Sequence, residues 1–131
     1  MRPHPPAASL TLLTLNVNSL SSPHKAKGVW DHLLAYRPDV TFLQETHIPS
    51  TPALEACLRA AQGPCLPWRH TLAASPAISS SSCGVAVLAR QHLRLPGCVL
   101  YPAVHDAHGR LVCWDWDVGH LRLRLVCVYA P

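Results

Sequence analysis

Three side chains of the types used in phosphoryl chemistry stand at the ends of apolar runs. They are Asn16 in "LTLNVNSL", Glu45 in "DVTFLQETH" and Tyr129 in "LVCVYAP". A carboxylate is a hard oxygen ligand, and Mg²⁺ binds through one or two of them while keeping several waters. An amide can orient a phosphate or the shell of such a metal, and a phenol can donate to a phosphate oxygen. The metal would polarise the phosphoryl group and offset charge in the transition state. Each residue also has a structural reading. Asn commonly terminates strands, a lone Glu at a strand end is usually solvated, and Tyr often packs as an amphipathic core residue. The chemistry therefore depends on whether the fold gathers the three strand ends.

The elements that must do so are legible in the pattern. Side chains alternate across a strand, so Leu13, Leu15 and Val17 share one face and Thr14, Asn16 and Asn18 the other, over a strand from Leu10 to Asn18. Ser22 before Pro23 starts a helix, and Ala26, Val29, Trp30, Leu33 and Leu34 form its apolar stripe up to Arg37-Pro38. Asp39 to His47 reads as a second strand. Thr51-Pro52 opens a second helix with Leu54, Cys57, Leu58 and Ala61 on one face, stopped by Gly63-Pro64. A strand, a crossover helix and a strand in one sheet make a parallel pair, which puts Asn16 and Glu45 on one edge. "AASPAISSSSCG", residues 73–84, reads as a flexible surface loop, and Gly84 to Ala89 as a strand buried on both faces.

The end of the chain, "RLVCWDWDVGHLRLRLVCVYAP", holds two alternating runs around Gly119-His120. A two-residue loop with Gly first suits a type II′ hairpin. That register sets Asp117 opposite Arg122 and Asp115 opposite Arg124 on one face, with Trp116 against Leu123 and Trp114 against Leu125 on the other. The D-x-D of Asp115 and Asp117 also has the form of a metal site, but its cross-strand arginines favour the structural reading.

Composition narrows the class. The 131 residues suit one domain, and 49% apolar against 14% charged content excludes a disordered charged tail. Eleven Lys and Arg against seven Asp and Glu give +4, which permits a polyanionic partner without demanding one. The six cysteines lack C-x-x-C spacing and read as buried free thiols rather than a zinc module. The N-terminus makes a poor signal peptide, no run approaches the ~20 apolar residues of a membrane span, and the expected setting is intracellular, nuclear or cytoplasmic.

"LTLNVNSL", "DVTFLQETHI", "CGVAVLAR" and "LVCVYAP", in this order and at these separations, resemble the endonuclease/exonuclease/phosphatase family. Within it they are most similar to the endonuclease domain of LINE-type (non-LTR) retrotransposons. The resemblance spans residues 10–131 after a loose proline-rich leader, 1–9. It implies a two-sheet α/β sandwich with helices outside and Mg²⁺-dependent phosphodiester hydrolysis, Mn²⁺ serving as a substitute, with DNA as partner. Asn16 matches the family's first-strand amide at the catalytic centre, where it also contributes to the metal site. Glu45 matches the metal-binding carboxylate and Tyr129 the phenol near the scissile phosphate. Asn18 stands where apurinic endonucleases usually have an acid and retrotransposon enzymes an amide. His47 and Asn18 are expected to face nucleic acid.

The family's second half supplies G-D-x-N, a further aspartate and a terminal S-D-H. "HDAH" and "DVGH" in this chain do not fit those segments. The resemblance thus implies an N-terminal half-domain, inactive alone, whose bare sheet is covered by the missing second half or another chain. The alternative is a non-catalytic remnant acting at most as a nucleic-acid or protein binding module.

Overall fold

The computed structural model describes residues 10–63, 65–79, 82–93, 98–118 and 120–130. The leader, Pro64, Pro131 and Gly119, with the turn type assigned to the hairpin, lie outside the described residues. The elements are β1 (Leu12–Asn16), α1 (Pro23–Tyr36), β2 (Val40–Gln44), α2 (Thr51–Gln62), β3 (His70–Ser75), β4 (Val85–Arg90), β5 (Val99–Leu100), β6 (Val104–His105), β7 (Leu111–Val118) and β8 (Leu121–Val128).

Both helices begin with proline in the first turn, where the missing N–H is no loss. Ser22 sits extended at the cap of α1 but its side chain bonds nothing there, whereas the Ser50 hydroxyl caps α2 by accepting from Ala53 N–H at 3.2 Å. Arg37 ends α1 in the left-handed region, its N–H donating to Leu33 O at 2.9 Å.

The first sheet has strand order β1-β2-β4-β3. β1 and β2 are parallel with Asn16 beside Gln44, as a helical crossover requires, and the other pairs are antiparallel. Alternation along β4 sorts the core. Ala86 and Leu88 pack with Leu43 against Trp30, Leu33, Leu54 and Leu58 of the helices. Val85, Val87 and Ala89 pack on the other face against Val112, Trp114, Trp116 and Leu125. A strand covered on both sides must be apolar throughout, and "VAVLA" is. Leu13, Leu15 and Val17 take the helix side. The expected loop from Ala73 begins later: Ala73, Ala74 and Ser75 are buried and close β3. Their small side chains suit a strand pressed between two layers, a feature that composition alone confuses with a turn.

In the second sheet β7 carries β8 along one edge and the two-residue strands β5 and β6 along the other. The hairpin register is the expected one, and Arg122 and Arg124 reach Asp117 and Asp115 at 2.8 Å each. These arginines are exposed, so solvent screens each pair and its chief effect is to fix register. Tyr101 adds to it, donating to Asp117 at 2.6 Å under the Arg122 guanidinium. Both helices cover the first sheet, and the second sheet's outer face carries the charge pairs. β8 packs over β2 and β4, leaving β1 with Leu12 54% exposed. All six cysteines are free thiols; Cys83 and Cys127 are buried and Cys65 is exposed.

Trp30, Trp68 and His70 form a ring cluster between α1 and β3, with Trp30 Nε1 donating to Leu58 O at 2.6 Å. Burial, helped by the Arg90 charge, lowers the His70 pKa from 6.5 to about 4. The unfolded chain therefore binds the extra proton first as pH falls. The His70 contribution is complete above its unfolded pKa and is lost between 6.5 and about 4. Thermal unfolding of the parent should lose about 1–2 kcal/mol more across that window than His70→Phe, whose ring does not titrate. Parallel pH profiles of the two would exclude this.

Candidate functional site

The ends of β1 and β2 stay paired beyond the strands. Val17 N–H donates to Gln44 O at 2.9 Å, Ser19 N–H to Glu45 O at 2.7 Å and Leu20 N–H to Thr46 O at 2.9 Å. From the other side Thr46 N–H donates to Gly84 O and His47 N–H to Cys83 O, both at 3.0 Å, while Gly84 N–H donates to Gly109 O at 2.8 Å. Among the described residues, five of the six non-glycine residues with positive φ lie in the segments this network joins: Asn18, Ser19, Glu45, His47 and Cys83. Such conformations cost on the order of 1–3 kcal/mol each unless local bonding compensates, and they concentrate at functional sites. The sequence shows no sign of the strain at Glu45 and His47.

Tyr129 is brought to Glu45 by the end of β8. The Cys127 thiol donates to Leu43 O at 3.4 Å, and Gln44 Nε2 donates to that sulfur at 3.5 Å. Burial raises the thiol pKa, so it remains a neutral donor. Two residues on, Tyr129 N–H donates to Arg110 O at 2.9 Å and the phenol faces the half-buried Glu45 carboxylate. That carboxylate, as acceptor and as negative charge, holds the phenol above its usual pKa; burial and Cys83 add to this and Arg110 opposes it. Tyr129 is thus a protonated donor at neutral pH.

Asn16 stands at the same edge on the adjacent strand, exposed, with no hydrogen bond to Glu45 or Tyr129 among the described residues. Its Oδ1 accepts from Asn18 N–H at 3.2 Å, a local turn that asparagine favours, and its amide nitrogen is unpartnered within the same residues. Asn18 is exposed, and Lys25 Nζ donates to its carbonyl. His47 is placed differently from the outward position expected. It is 8% exposed, and its Nε2 is buried without a partner. With φ at 58° and its N–H tied to Cys83, the residue turns in beneath the edge.

Arg110 is the neighbour that sequence reading missed. The signal was available: one step past Leu111–Val128, the hairpin register sets Arg110 opposite Tyr129. Gly84 was read as a strand start, yet φ is +96° and a Cβ would meet Thr46 Oγ1 at 2.2 Å. Among the described residues no three His, Cys, Asp or Glu side chains converge on a metal-sized site. One carboxylate with side-chain oxygens and waters is still a fitting partial set for Mg²⁺, which is seldom caged by protein alone.

A sequence profile described as the Endonuclease/Exonuclease/phosphatase family matches residues 13–124. A search of curated proteins finds no match. Among solved structures, the chain is similar to the AP endonuclease LMAP from Leishmania major, with TM-score 0.68 and 20% identity over 92% of this chain. The chain spans 40% of the length of that structure, and at this identity the likeness shows the fold alone.

The close passage at Gly84 yields a paired test. Gly84→Ala should lower stability by about 2 kcal/mol or more, from the positive φ and the contact with Thr46. Gly28→Ala in α1, where a Cβ meets nothing within 4 Å, should raise it by about 0.5–1 kcal/mol. Urea midpoints of the two variants would decide, and equal shifts would refute the close-packing account.

Proposed function

The chain belongs to the endonuclease/exonuclease/phosphatase family, and we propose that residues 10–131 form the first part of a Mg²⁺-dependent site that nicks DNA. The observation that carries this reading is the strand pairing that brings the ends bearing Asn16 and Glu45 to one edge, where the Glu45 carboxylate keeps the Tyr129 phenol protonated. The LINE-type retrotransposon assignment is supported by the amide at Asn18.

Glu45 would hold the cation together with Asn16, with Mn²⁺ as substitute, and the bound metal would offset charge on the phosphate. The Asn16 amide donates toward a phosphate oxygen. Tyr129 keeps its proton, donating it to Glu45 in the free site and to a phosphate oxygen once Glu45 turns to the cation. Arg110 and Lys25 add positive charge for a nucleic-acid backbone at this edge. The pinned backbone holds these groups without reorganisation.

Hydrolysis also needs a base to orient water and donors for the leaving oxygen. The G-D-x-N and S-D-H segments that supply them in the family are not found in these 131 residues. The activity proposed here therefore requires a second half, in the same or another chain, which would also cover the bare face of β1. A second reading, a non-catalytic nucleic-acid or protein binding module, is favoured by that same exposed face, where Leu12 is 54% exposed.

With Mg²⁺, the 131-residue chain should nick supercoiled plasmid no faster than its Glu45→Ala variant. Loss of a base and of an electrostatic donor costs ~10²–10⁴-fold and ~10²–10³-fold. Adding a family second half with G-D-x-N and S-D-H should restore nicking that depends on Glu45. Glu45-dependent nicking by the short chain would falsify the shared-site reading; restored nicking indifferent to Glu45→Ala would remove Glu45 from the chemistry.

A further inference from the structure

A second feature lies on the helix side of the first sheet, at the edge opposite Glu45. There a cavity of about 320 Å³ opens between the last turns of α1 and α2 and the ends of β3 and β4. Pro38, on its wall, is six residues before Gln44 at the other edge. That is about 20 Å of extended chain, so the two places are distinct.

The cavity combines an apolar interior with cationic side chains in its lining. Trp30 and Leu33 are buried behind it, while Leu34 and Leu66 remain 72% and 58% exposed beside it. Arg37, Arg69 and Arg90 all contribute to the lining, and no carboxylate does so among the described residues. None of the three guanidinium groups has a hydrogen-bond or ion-pair partner there, in contrast to Arg59, Arg122 and Arg124. Arg37 has a structural account, since it follows the carbonyl end of α1, where a cation is favoured. Arg69 and Arg90 have no such account. The register pairs His70 with Arg90, which puts both side chains on the helix face with Arg69 adjacent in sequence. His70 Nδ1 is buried and unpartnered in the same wall.

We propose that this cavity binds a small molecule carrying an anionic head, phosphate or carboxylate, on a flat apolar body. Guanidinium forks match the paired oxygens of either head, and such charge-assisted bonds are about twice as strong as neutral ones. The body would cover Leu34 and Leu66. The volume stands at the low end of ligand pockets, about 300–1,000 Å³, which suits one ring system and its head rather than a polymer.

The test is an NMR titration of the 131-residue chain, following the Arg Nε–H and Trp indole signals, with phenyl phosphate, benzoate and benzyl alcohol as probes. At least one anion should shift Arg69, Arg90 and Trp30 saturably, the tighter of the two identifying the preferred head. Benzyl alcohol should not saturate. Arg69→Gln, at an exposed position, should weaken the anion about tenfold, and Glu45→Gln should leave it unchanged. No saturable shift with either anion would overturn the proposal, as would equal binding of benzyl alcohol or shifts centred on the Glu45 edge.

Discussion

The candidate site rests on one close passage of backbone, Gly84 beneath Thr46. A single carbon added at Gly84 would lie 2.2 Å from the threonine hydroxyl. Only that approach lets Thr46 and His47 donate to the residues before β4 while Gly84 donates to Gly109 ahead of β7. Three segments far apart in sequence are thereby joined through main-chain bonds. Glu45 lies in the middle, held by Ser19 from one side and by its neighbour Thr46 from the other. Its left-handed conformation persists because the surroundings over-determine it.

The rest of the molecule keeps that junction in place from two sides. β4 carries one core on each face, so the helices and the second sheet press on the same strand. Small residues make this geometry feasible: Ala73, Ala74, Ala86 and Ala89 let the layers approach, and larger side chains would force them apart. Away from this centre the architecture thins. β5 and β6 are two residues each, and β1 leaves Leu12, Thr14 and Asn16 exposed. Local stability should therefore be greatest around β2, β4 and β7 and least at the margins. The residues proposed to meet substrate lie where the rigid centre gives way to exposed margin.

Much of this architecture is legible in the amino-acid sequence. Apolar periodicity identified both helices, the parallel pair and the doubly covered β4, because burial on one or two faces imposes those patterns directly. Asp115, Asp117, Arg122 and Arg124 disclosed the hairpin register through complementary charge. Tertiary context hid the remainder. Ala73 to Ser75 look like loop residues until a layer is known to press on each side of them. His47 looks like a surface residue until its backbone is seen to turn inward. Arg69, His70 and Arg90 gave no signal together, since their neighbourhood comes from the pairing of β3 with β4 rather than from any motif. Strain at Glu45 was likewise unreadable, because glutamate carries no preference for the conformation it adopts there.

The long hairpin makes parity a property of the chain. Eight consecutive pairs run from Val118–Leu121 to Leu111–Val128, and the ladder continues to Arg110 and Tyr129. Tyr129 therefore takes its side of the sheet from a count of residues that starts at a turn one strand-length away. Inserting or deleting one residue within β8 would exchange its faces, moving the phenol outward and turning Val128 toward Glu45, unless a bulge absorbed the change. Two residues would restore the side but displace the phenol by about 7 Å. Over evolutionary time, length variation in β8 is thus permitted only where a compensating bulge or a matching change in β7 preserves the count, so drift in this arm should proceed by substitution.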